Sequence, residues 1–530
     1  MRLLGLLLCS AALVAAAVPG CRAARILGLF HFQGRSHWAM VEPLLQQLAA
    51  RGHNLTVVSH FPQKSPPPNY RDVSIRGSVP TIVNNLTVDF VRSLNVVFFM
   101  WQNTYDYCEN IFEHPGLTEI LTTNEKYDLI MTQVFGADCF AGFLHRFRGT
   151  PVVSLTTSVM LPWSNTRMAN PDHPAYIPNY YLPYGPRMSF TERLVNTIAT
   201  VATSVGFDYY SASLVDRLNR RYFGKGIPRT ADLVTNTNLM LVNSHFSINH
   251  PRPFVPNVVE VGGMHIPSKP KKLPDDMKRF LDGAPEDVGA VLFTFGSLVR
   301  TETMPLQKLV AFVAAFRQLA PQRFIWKVDA SALAELGLTV PDNVYTANWV
   351  PQFDVLSHPK MRAFISHGGL MGTLEAVHCG VPVLGIPLFA DQKLNVPNMV
   401  RHGVAMQFEL DYVNTDLLVY ALRRITAPGS KYRLRAKELS WQFRDRPRTP
   451  LEEAVYWTEY VIRHRGALHM RPASLRLSWY QYLLLDVLAF IACTFCLTTT
   501  LTWILLKNCL CTHSQRKRKR SRIERRFRAT

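Results

Sequence analysis

The sequence predicts an α/β fold in which two Rossmann-like domains face each other across a cleft, with a single transmembrane helix near the C-terminus. Residues 25–59 predict a strand, a helix and a second strand joined by short links, a unit that builds parallel sheets. A second series of alternating strands and helices begins at residue 289. Residues 483–506 are apolar and long enough to cross a bilayer.

The first domain follows a predicted signal peptide. Arg2 precedes the apolar residues 3–18, and small residues follow, so we predict a signal peptide over residues 1–24. Residues 25–32 predict the first strand. The first helix is expected to begin with Ser36 as its cap and to end at Gly52, and residues 54–59 predict the next strand.

The rest of the first domain, which we place at residues 25–265, is less regular. Residues 156–235 are aromatic and have no clean period, so they form either the walls of a binding pocket or only packed helices. Prolines punctuate residues 250–286, and we predict a linker at 266–286. Further strands are predicted at residues 127–134, 151–155 and 238–244.

The second domain is predicted to cover residues 287–445. Residues 446–482, which contain an amphipathic helix at 450–464, are predicted to return to the first domain and approach the membrane. Strands are predicted at residues 289–295, 323–328, 343–346, 361–365 and 381–386, and helices at 305–319, 370–379, 415–426 and 432–443.

The C-terminal end predicts a single-pass, type I membrane protein. The tail, residues 507–530, contains three Lys, seven Arg and one Glu. Basic residues beside a span stay on the cytosolic side, so both domains are expected in the lumen. This tail supplies much of the formal net charge of +20. The positive charge of the tail therefore indicates how the protein is oriented in the membrane, and we do not expect a nucleic-acid partner.

The cysteines do not predict a disulfide framework. Of nine Cys, only Cys108, Cys139 and Cys379 fall in the predicted lumenal part, and no CxxC pair with metal-site spacing lies there. Asn54 and Asn85 stand in Asn-x-Thr sequences. Asn85 is the better candidate for a glycan because Asn54 opens a predicted strand.

The most informative stretch is residues 349–392. A buried strand ends in a turn that contains His367 and Gly369, and a helix follows. Free backbone N–H groups and the positive helix end then meet at one point, which suits a diphosphate. Glu375, two turns into the helix, is placed to bind ribose hydroxyls. Asp391 and Gln392 follow the next strand, where parallel sheets meet their ligands.

His37 is the candidate general base. It lies in Ser36-His37-Trp38, in the first turn of the first helix. The positive helix end disfavours a charged imidazole and keeps the ring neutral and basic. His31 is the rival, but it falls inside the predicted strand and is expected to be structural.

The order Trp349, Pro-Gln, His-Gly-Gly, Glu375 and Asp-Gln resembles the signature of the UDP-glycosyltransferases. The resemblance covers nearly the whole chain and is closest in pattern to membrane-bound insect members. It implies the GT-B fold and inverting transfer of a hexose, with UDP-glucose the favoured donor, to small lipophilic alcohols and phenols. It also implies an active site that faces the endoplasmic reticulum lumen, and residence in other membranes of the secretory pathway is left open. No DxD motif is present, so no metal is expected.

The resemblance also assigns the donor site. It implies that Trp349 stacks on uracil and that Gln352 contacts the uracil or ribose. Ser297 and His367 are the implied phosphate contacts, helped by Gly369.

The same resemblance implies that Glu375 binds the ribose and that Asp391 and Gln392 hold the sugar hydroxyls. It makes His37 the catalytic base and Asp138 the carboxylate that orients it.

Two positions depart from the family pattern. Gln133 stands where insect members often carry an acid, and Met371 stands where some members carry an Asn four residues after the histidine. An amide cannot supply charge, so a second hypothesis is a catalytically weak member that carries a nucleotide sugar or a lipophile. A homo-oligomer is left open.

Overall fold

The computed structural model describes residues 23–93 and 96–528. The predicted signal peptide, residues 1–24, therefore falls almost wholly outside the described residues. One compact unit ends at Arg471, and a second unit, Pro472–Thr530, carries a long C-terminal helix.

The first half of the compact unit is a seven-stranded parallel sheet with the order β3-β2-β1-β4-β5-β6-β7. Its strands are β1 (Arg25–Leu29), β2 (Asn54–Ser59), β3 (Tyr70–Ser74), β4 (Leu129–Gln133), β5 (Val152–Thr156), β6 (Leu239–Val242) and β7 (Val258–Glu260). Its helices are α1 (Arg35–Ala50), α2 (Val88–Ser93), α3 (Val96–Gln102), α4 (Thr104–Phe112), α5 (Pro115–Thr122), α6 (Ala141–Arg146), α7 (Pro162–Met168), α8 (Phe190–Gly206), α9 (Ser213–Phe223), α10 (Thr230–Val234) and α11 (Phe246–Asn249).

The second half is a six-stranded parallel sheet with the order β10-β9-β8-β11-β12-β13. Its strands are β8 (Ala290–Thr294), β9 (Arg323–Lys327), β10 (Val344–Ala347), β11 (Met361–Ser366), β12 (Val383–Gly385) and β13 (Ala405–Gln407). Its helices are α12 (Asp275–Asp282), α13 (Leu306–Gln318), α14 (Ala330–Glu335), α15 (Gln352–Leu356), α16 (Leu370–Cys379), α17 (Gln392–Arg401), α18 (Thr415–Thr426) and α19 (Lys431–Arg444). Helices α20 (Pro450–Arg463), α21 (Trp479–Tyr482) and α22 (Leu485–Phe527) follow.

The central strands are buried on both faces. Every residue of β8 and β11 is buried, as expected for parallel strands that helices cover on each side. Aromatic side chains fill the core of the second half, where Phe293 stacks on Phe312 and on Trp326. The prediction of two parallel-sheet halves is therefore confirmed.

Two segments cross between the halves. Leu86 forms a parallel bridge with Val299, and α2 buries Val88 and Val91 in the core of the second half. In the other direction, α20 packs on the first sheet, and its Glu459 pairs with Arg51. The predicted helix at residues 450–464 corresponds to α20.

Several boundaries differ from the prediction. β1 ends at Leu29, so His31 and Phe32 lie in the loop beyond the sheet, and α1 begins after Gly34 and not at a Ser36 cap. The short strands β3, β7 and β13 were not predicted. Helix α12 occupies part of the predicted linker 266–286, because its buried Met277 and Leu281 pack under the second sheet.

The expectation about cysteines was incomplete. Cys108 on α4 and Cys139 in the loop after β4 form a disulfide across 31 residues of sequence. The fold brings these two positions together, with 5.2 Å between their Cα atoms, although their spacing matches no local motif. Disulfides persist mainly in oxidising compartments.

The second unit contains helix α22. Among the described residues, it is the one helix long and apolar enough to cross a membrane. The predicted span, residues 483–506, coincides with its apolar N-terminal half, and the basic tail continues the same helix.

Candidate active site

One cavity of about 650 Å³ lies between the two sheets and receives the loops that follow their strands. The first half contributes residues after β1, β4 and β5, and the second half contributes residues after β8, β11 and β12. Carboxyl ends of parallel strands from both halves therefore meet around one space, the usual position of ligands in such folds. The cavity lining includes His37 and all the predicted donor-site residues: Ser297, Trp349, Gln352, His367, Gly369, Glu375, Asp391 and Gln392.

His37 is held by two polar side chains. Its Nδ1 lies 2.8 Å from Nε2 of Gln133 and 2.8 Å from Oγ1 of Thr157. Gln133 ends β4 and Thr157 follows β5, so the neighbouring strands fix the ring. The aromatic rings of Phe32 and Phe135 flank the imidazole at centroid distances of 4.4 and 4.3 Å.

The apolar surroundings of His37 disfavour its charged form. Burial, followed by the nearby His31, lowers the pKa of His37 to about 3. The ring is therefore neutral at pH 7, as a general base requires. Burial produces this effect more than the helix end on which the sequence argument relied.

The structure does not bring Asp138 to His37. Both oxygens of its carboxylate accept hydrogen bonds from Arg167, at 3.0 and 2.9 Å, and both side chains are buried. This bidentate pair occupies the carboxylate, whereas Gln133 and Thr157 occupy the place beside Nδ1 of His37. The expected His37–Asp138 contact is thus replaced by an amide and a hydroxyl.

His31 is a charge neighbour of both His37 and Asp138. Its backbone oxygen accepts a hydrogen bond from the Tyr107 hydroxyl at 2.6 Å and lies 2.9 Å from Nε2 of His60. Burial lowers the pKa of His31 to about 4, against the opposing charge of Asp138. His31 thus holds the loop through its main chain, while both of its buried ring nitrogens have no hydrogen-bond partner among the described residues.

The turns after β8 and β11 present unpaired polar atoms to the cavity. Nδ1 of His367 and Oγ of Ser297 are buried and have no hydrogen-bond partner among the described residues. A Cβ at Gly369 would lie 2.8 Å from Nε2 of His367, so glycine leaves the backbone open at the start of α16. Burial, then the charge of Lys327, lowers the pKa of His367 to about 4.

Lys327 is a site residue that the sequence analysis missed. It ends β9, is buried, and lines the cavity, where its ammonium donates to Oδ1 of Asn84 at 2.8 Å. Burial lowers its pKa, against the nearby Glu302. A charged residue directly after the apolar residues 324–326 of β9 was the available signal. A buried cation beside His367 suits an anionic ligand.

Glu375 and Gln352 both line the cavity and are hydrogen-bonded to each other. The Gln352 amide donates to Oε2 of Glu375 at 2.6 Å, and Nε2 of His265 lies 3.5 Å from Oε1. Trp349, close in sequence, keeps 54% of its surface exposed. A large exposed indole at a cavity rim is a flat apolar surface for a planar ring.

Asp391 is tied to the His-Gly-Gly turn. The Asn395 amide donates to Oδ2 of Asp391 at 2.8 Å and to the Gly368 carbonyl at 3.0 Å. Burial raises the pKa of Asp391 to about 6. Gln392 is buried, and its Oε1 accepts from the backbone N–H groups of Leu388 and Phe389 at 2.8 and 3.0 Å. The Gln392 side-chain oxygen therefore holds the backbone of the loop after β12 in place.

Met371 joins the two halves. Its sulfur lies 3.2 Å from Nδ2 of Asn243, and its side chain packs against the core of the first half. The residue thus serves packing where some relatives are expected to place a polar contact. Among the described residues, no group of three His, Cys, Asp or Glu side chains is placed to hold a metal ion.

The chain matches known proteins in sequence and in fold. The sequence model of the family described as "UDP-glucoronosyl and UDP-glucosyl transferase" matches residues 29–523. UDP-glucosyltransferase 2 of Dactylopius coccus is 41% identical over 481 residues, which are 89% of this chain and 90% of that protein. UDP-glucuronosyltransferase 2C1 of Oryctolagus cuniculus is 31% identical, over 86% of this chain and 92% of its own.

Among solved structures, TcCGT1 in complex with UDP aligns with a TM-score of 0.54 at 16% identity, over 84% of this chain and 100% of that chain. This likeness supports the GT-B fold. The match of the family model across most of the chain, together with relatives above 30% identity over most of their length, shows that the chain belongs to the UDP-glycosyltransferase family and is an enzyme of that class.

Proposed function

We propose that the protein transfers a hexose, with glucose the favoured sugar, from UDP to a hydroxyl of small lipophilic acceptors, with inversion at the anomeric carbon. The observation that carries the proposal is the single cavity into which both a neutral His37 and the residues of the donor side, Ser297, His367 and Glu375, project. Acceptor activation and leaving-group stabilisation are then available in one enclosed place.

His37 acts as the base through Nε2. For this, Nδ1 must carry the ring proton, and Oγ1 of Thr157 is placed to accept it. Gln133 supports the same tautomer when its amide is turned to present Oε1, since amide oxygen and nitrogen exchange places by a half-turn. Nε2 takes the acceptor proton as the acceptor oxygen bonds to the anomeric carbon. The bond from that carbon to the diphosphate breaks, and UDP leaves with the electron pair.

The residues around the His-Gly-Gly turn stabilise the departing diphosphate. The unpaired Oγ of Ser297 and Nδ1 of His367 supply hydrogen bonds, and the backbone at Gly369 opens helix α16 toward the same point. Lys327 adds a positive charge from the neighbouring strand. No metal enters this account.

The remaining donor residues determine orientation. Trp349 stacks on the uracil, Gln352 contacts the base or ribose, and Glu375 accepts from the ribose hydroxyls. Asp391 and the Gln392 amide hold the sugar hydroxyls. The Gln352–Glu375 hydrogen bond supports this division, because it preorganises one oxygen and leaves the other facing His265.

The acceptor side of the cavity is apolar. Phe32 and Phe135 enclose His37, and Phe90, Phe99 and Met100 also line the space. This lining favours phenols, steroids and other lipophilic alcohols over sugars or ionic acceptors.

We also propose that helix α22 anchors the protein in the endoplasmic reticulum membrane with the compact unit in the lumen. The Cys108–Cys139 disulfide supports an oxidising compartment, and the basic tail supports a cytosolic C-terminus.

The test is UDP release by the full-length protein in detergent, offered UDP-glucose, UDP-glucuronate, UDP-galactose and UDP-N-acetylglucosamine with a panel of phenols, flavonoids and steroids. Acceptor-dependent release with one donor is expected, and the product's anomeric configuration reports inversion. Saturable UDP binding without turnover on any pair would instead favour the carrier hypothesis, to which Gln133 and Met371 point.

A further inference from the structure

Helix α22 carries two cysteines just beyond its apolar part. Cys509 and Cys511 are exposed and are not in a disulfide. Two further free cysteines, Cys493 and Cys496, lie earlier on the same helix, within the apolar part. The proposed transfer reaction uses none of these thiols. Where each one lies relative to a bilayer decides which chemistry is open to it.

The sequence of α22 sets the point at which the helix leaves the bilayer. Residues 487–506 contain no charged side chain, and Asp486 and Lys507 stand at their two ends. At about 1.5 Å per residue, this segment is about 30 Å long, which is the thickness of the hydrocarbon core. The ammonium of Lys507 lies 5.1 Å from the centre of the Trp503 ring, and both residue types anchor helices at the membrane interface. The hydrocarbon core therefore ends between Leu506 and Lys507.

Cys509 and Cys511 then fall in the headgroup layer. Along the helix axis they stand about 5 and 8 Å beyond Leu506, and the headgroup layer on one side of a bilayer is about 5–8 Å thick. A long acyl chain attached at either thiol can return directly into the adjacent leaflet. Cys493 and Cys496 lie about 20 and 15 Å inside the core, measured from Leu506, where no water-soluble reactant reaches them.

The spacing of the two thiols argues against other uses of a cysteine pair. Residues two apart on an α-helix point about 200° away from each other. Cys509 and Cys511 can therefore neither bond to each other nor bind one metal ion while the helix is intact. The basic tail is expected in the cytosol, where thiols are kept reduced. A disulfide between chains is therefore not favoured either.

We infer that Cys509 and Cys511 are sites of S-acylation by a long-chain fatty acid. The inference rests on the proposed placement of α22 in the membrane with its tail in the cytosol. The cysteine thiolate attacks the carbonyl carbon of a long-chain acyl-coenzyme A, which a membrane acyltransferase delivers. A sulfur–acyl bond forms on the cysteine and the bond from the acyl carbon to the coenzyme A sulfur breaks. Coenzyme A leaves with the electron pair and takes up the proton that the cysteine gave up.

The two acyl chains enter the leaflet on opposite sides of α22, because Cys509 and Cys511 lie on opposite faces of the helix. Chains on both sides fix the depth at which the helix leaves the bilayer. They also hold the first turns of the basic tail close to anionic headgroups. S-acylation is reversible, so this attachment can be removed without loss of the membrane span.

Exchange of acyl groups for polyethylene glycol tests the inference on the full-length protein in membranes from a eukaryotic host. Disulfides are reduced, free thiols are blocked with N-ethylmaleimide, and hydroxylamine then cleaves thioesters so that a maleimide–polyethylene glycol adds to each released thiol. We expect a product shifted by two steps on a gel. Cys509→Ser and Cys511→Ser should each leave one step, and the double variant none. The matched control, Cys493→Ala with Cys496→Ala, should keep both steps.

Two further measurements separate failure of the acylation from failure of the proposed anchoring. Carbonate extraction tests whether the protein stays in the membrane, and protease added outside sealed microsomes tests whether the tail is cytosolic. A membrane-retained protein with an accessible tail but no hydroxylamine-dependent shift would overturn the acylation alone, as would a shift that persists in the double variant. Release by carbonate, or a protected tail, would overturn the anchoring and the acylation with it. Unchanged UDP affinity would show that each variant is folded.

Discussion

Gln133 lies 2.8 Å from Nδ1 of His37, in the position where an acid would orient and charge-balance the base. An amide can fix the ring tautomer but cannot neutralise the imidazolium that forms when His37 takes a proton. In the proposed mechanism, Gln133 and Thr157 therefore orient the His37 ring, but neither side chain neutralises the positive charge that the ring gains.

Replacing Gln133 with Glu should increase turnover. A carboxylate beside Nδ1 stabilises the imidazolium, so we expect kcat to rise on the order of tenfold and the acid limb of the pH profile to move to higher pH, because a nearby anion raises the pKa of His37. Steady-state kinetics across pH measure both effects. Gln133→Leu is the control, with kcat expected to fall. A folded Glu variant no faster than the parent would contradict this account.

Replacing His37 with Ala should separate chemistry from donor binding. Removal of a general base costs about 10²–10⁴-fold in rate, whereas the proposed UDP contacts come from the second half of the compact unit. Turnover assays and calorimetric UDP titration give the two quantities. His31→Asn is the comparison, with a smaller loss expected. If His31→Asn abolishes transfer and His37→Ala does not, the base has been assigned to the wrong histidine.

Asp138 should prove structural. Asp138→Asn leaves the buried Arg167 without its carboxylate partner, which should cost about 3–5 kcal/mol of stability, seen as a lower melting temperature. The kcat of the protein that remains folded should change little. The paired change Asp138→Leu with Arg167→Met removes both charges and should recover part of the stability. A large loss of kcat at unchanged melting temperature would return Asp138 to the catalytic machinery.

Donor affinity should fall in mild acid while the chemical step does not. Burial raises the pKa of Asp391 to about 6, so its carboxylate becomes protonated as pH falls below 6 and loses its capacity to accept from sugar hydroxyls. His37, with a pKa of about 3, stays neutral at pH 5. KM for the UDP-sugar should therefore rise between pH 7 and 5 at nearly constant kcat. Asp391→Asn should have a high KM that does not vary with pH in this range.

Activity should survive removal of divalent metal. In the proposed site, Lys327, His367, Ser297 and the start of α16 balance the diphosphate charge, so EDTA treatment should leave kcat/KM unchanged. The assay compares treated protein with and without added Mg²⁺ or Mn²⁺. A loss on chelation that a divalent ion restores would show that these groups are insufficient.

The buried strands and the loops after them could be predicted because their sequence signals are local. Apolar runs such as those of β8 and β11 specify covered parallel strands, and the turn at His367 follows directly. Edge strands such as β3 and β13 are short and only partly buried, so their composition does not distinguish them from loops.

Contacts that depend on strand order could not be predicted from spacing. Lys327 reaches the cavity because β9 lies beside β8 and β8 beside β11, and Cys108 meets Cys139 only after α4 packs. Asp138 does not contact His37 as predicted, because both oxygens of its carboxylate accept hydrogen bonds from Arg167. Arg167 lies within residues 156–235, whose sequence has no clear periodicity. Gln133 departs from the family pattern in sequence, yet only the structure places its side chain beside Nδ1 of His37.

The exchange of segments between the two halves sets a rule for building chimeras. Residues 84–93 belong to the first half by chain order, but Val88 and Val91 pack in the core of the second half. A hybrid joined near residue 265 would combine the α2 of one parent with the core of another and leave cavities or clashes there. Hybrids between relatives should therefore keep α2 with the parent of the second half and α20 with the parent of the first.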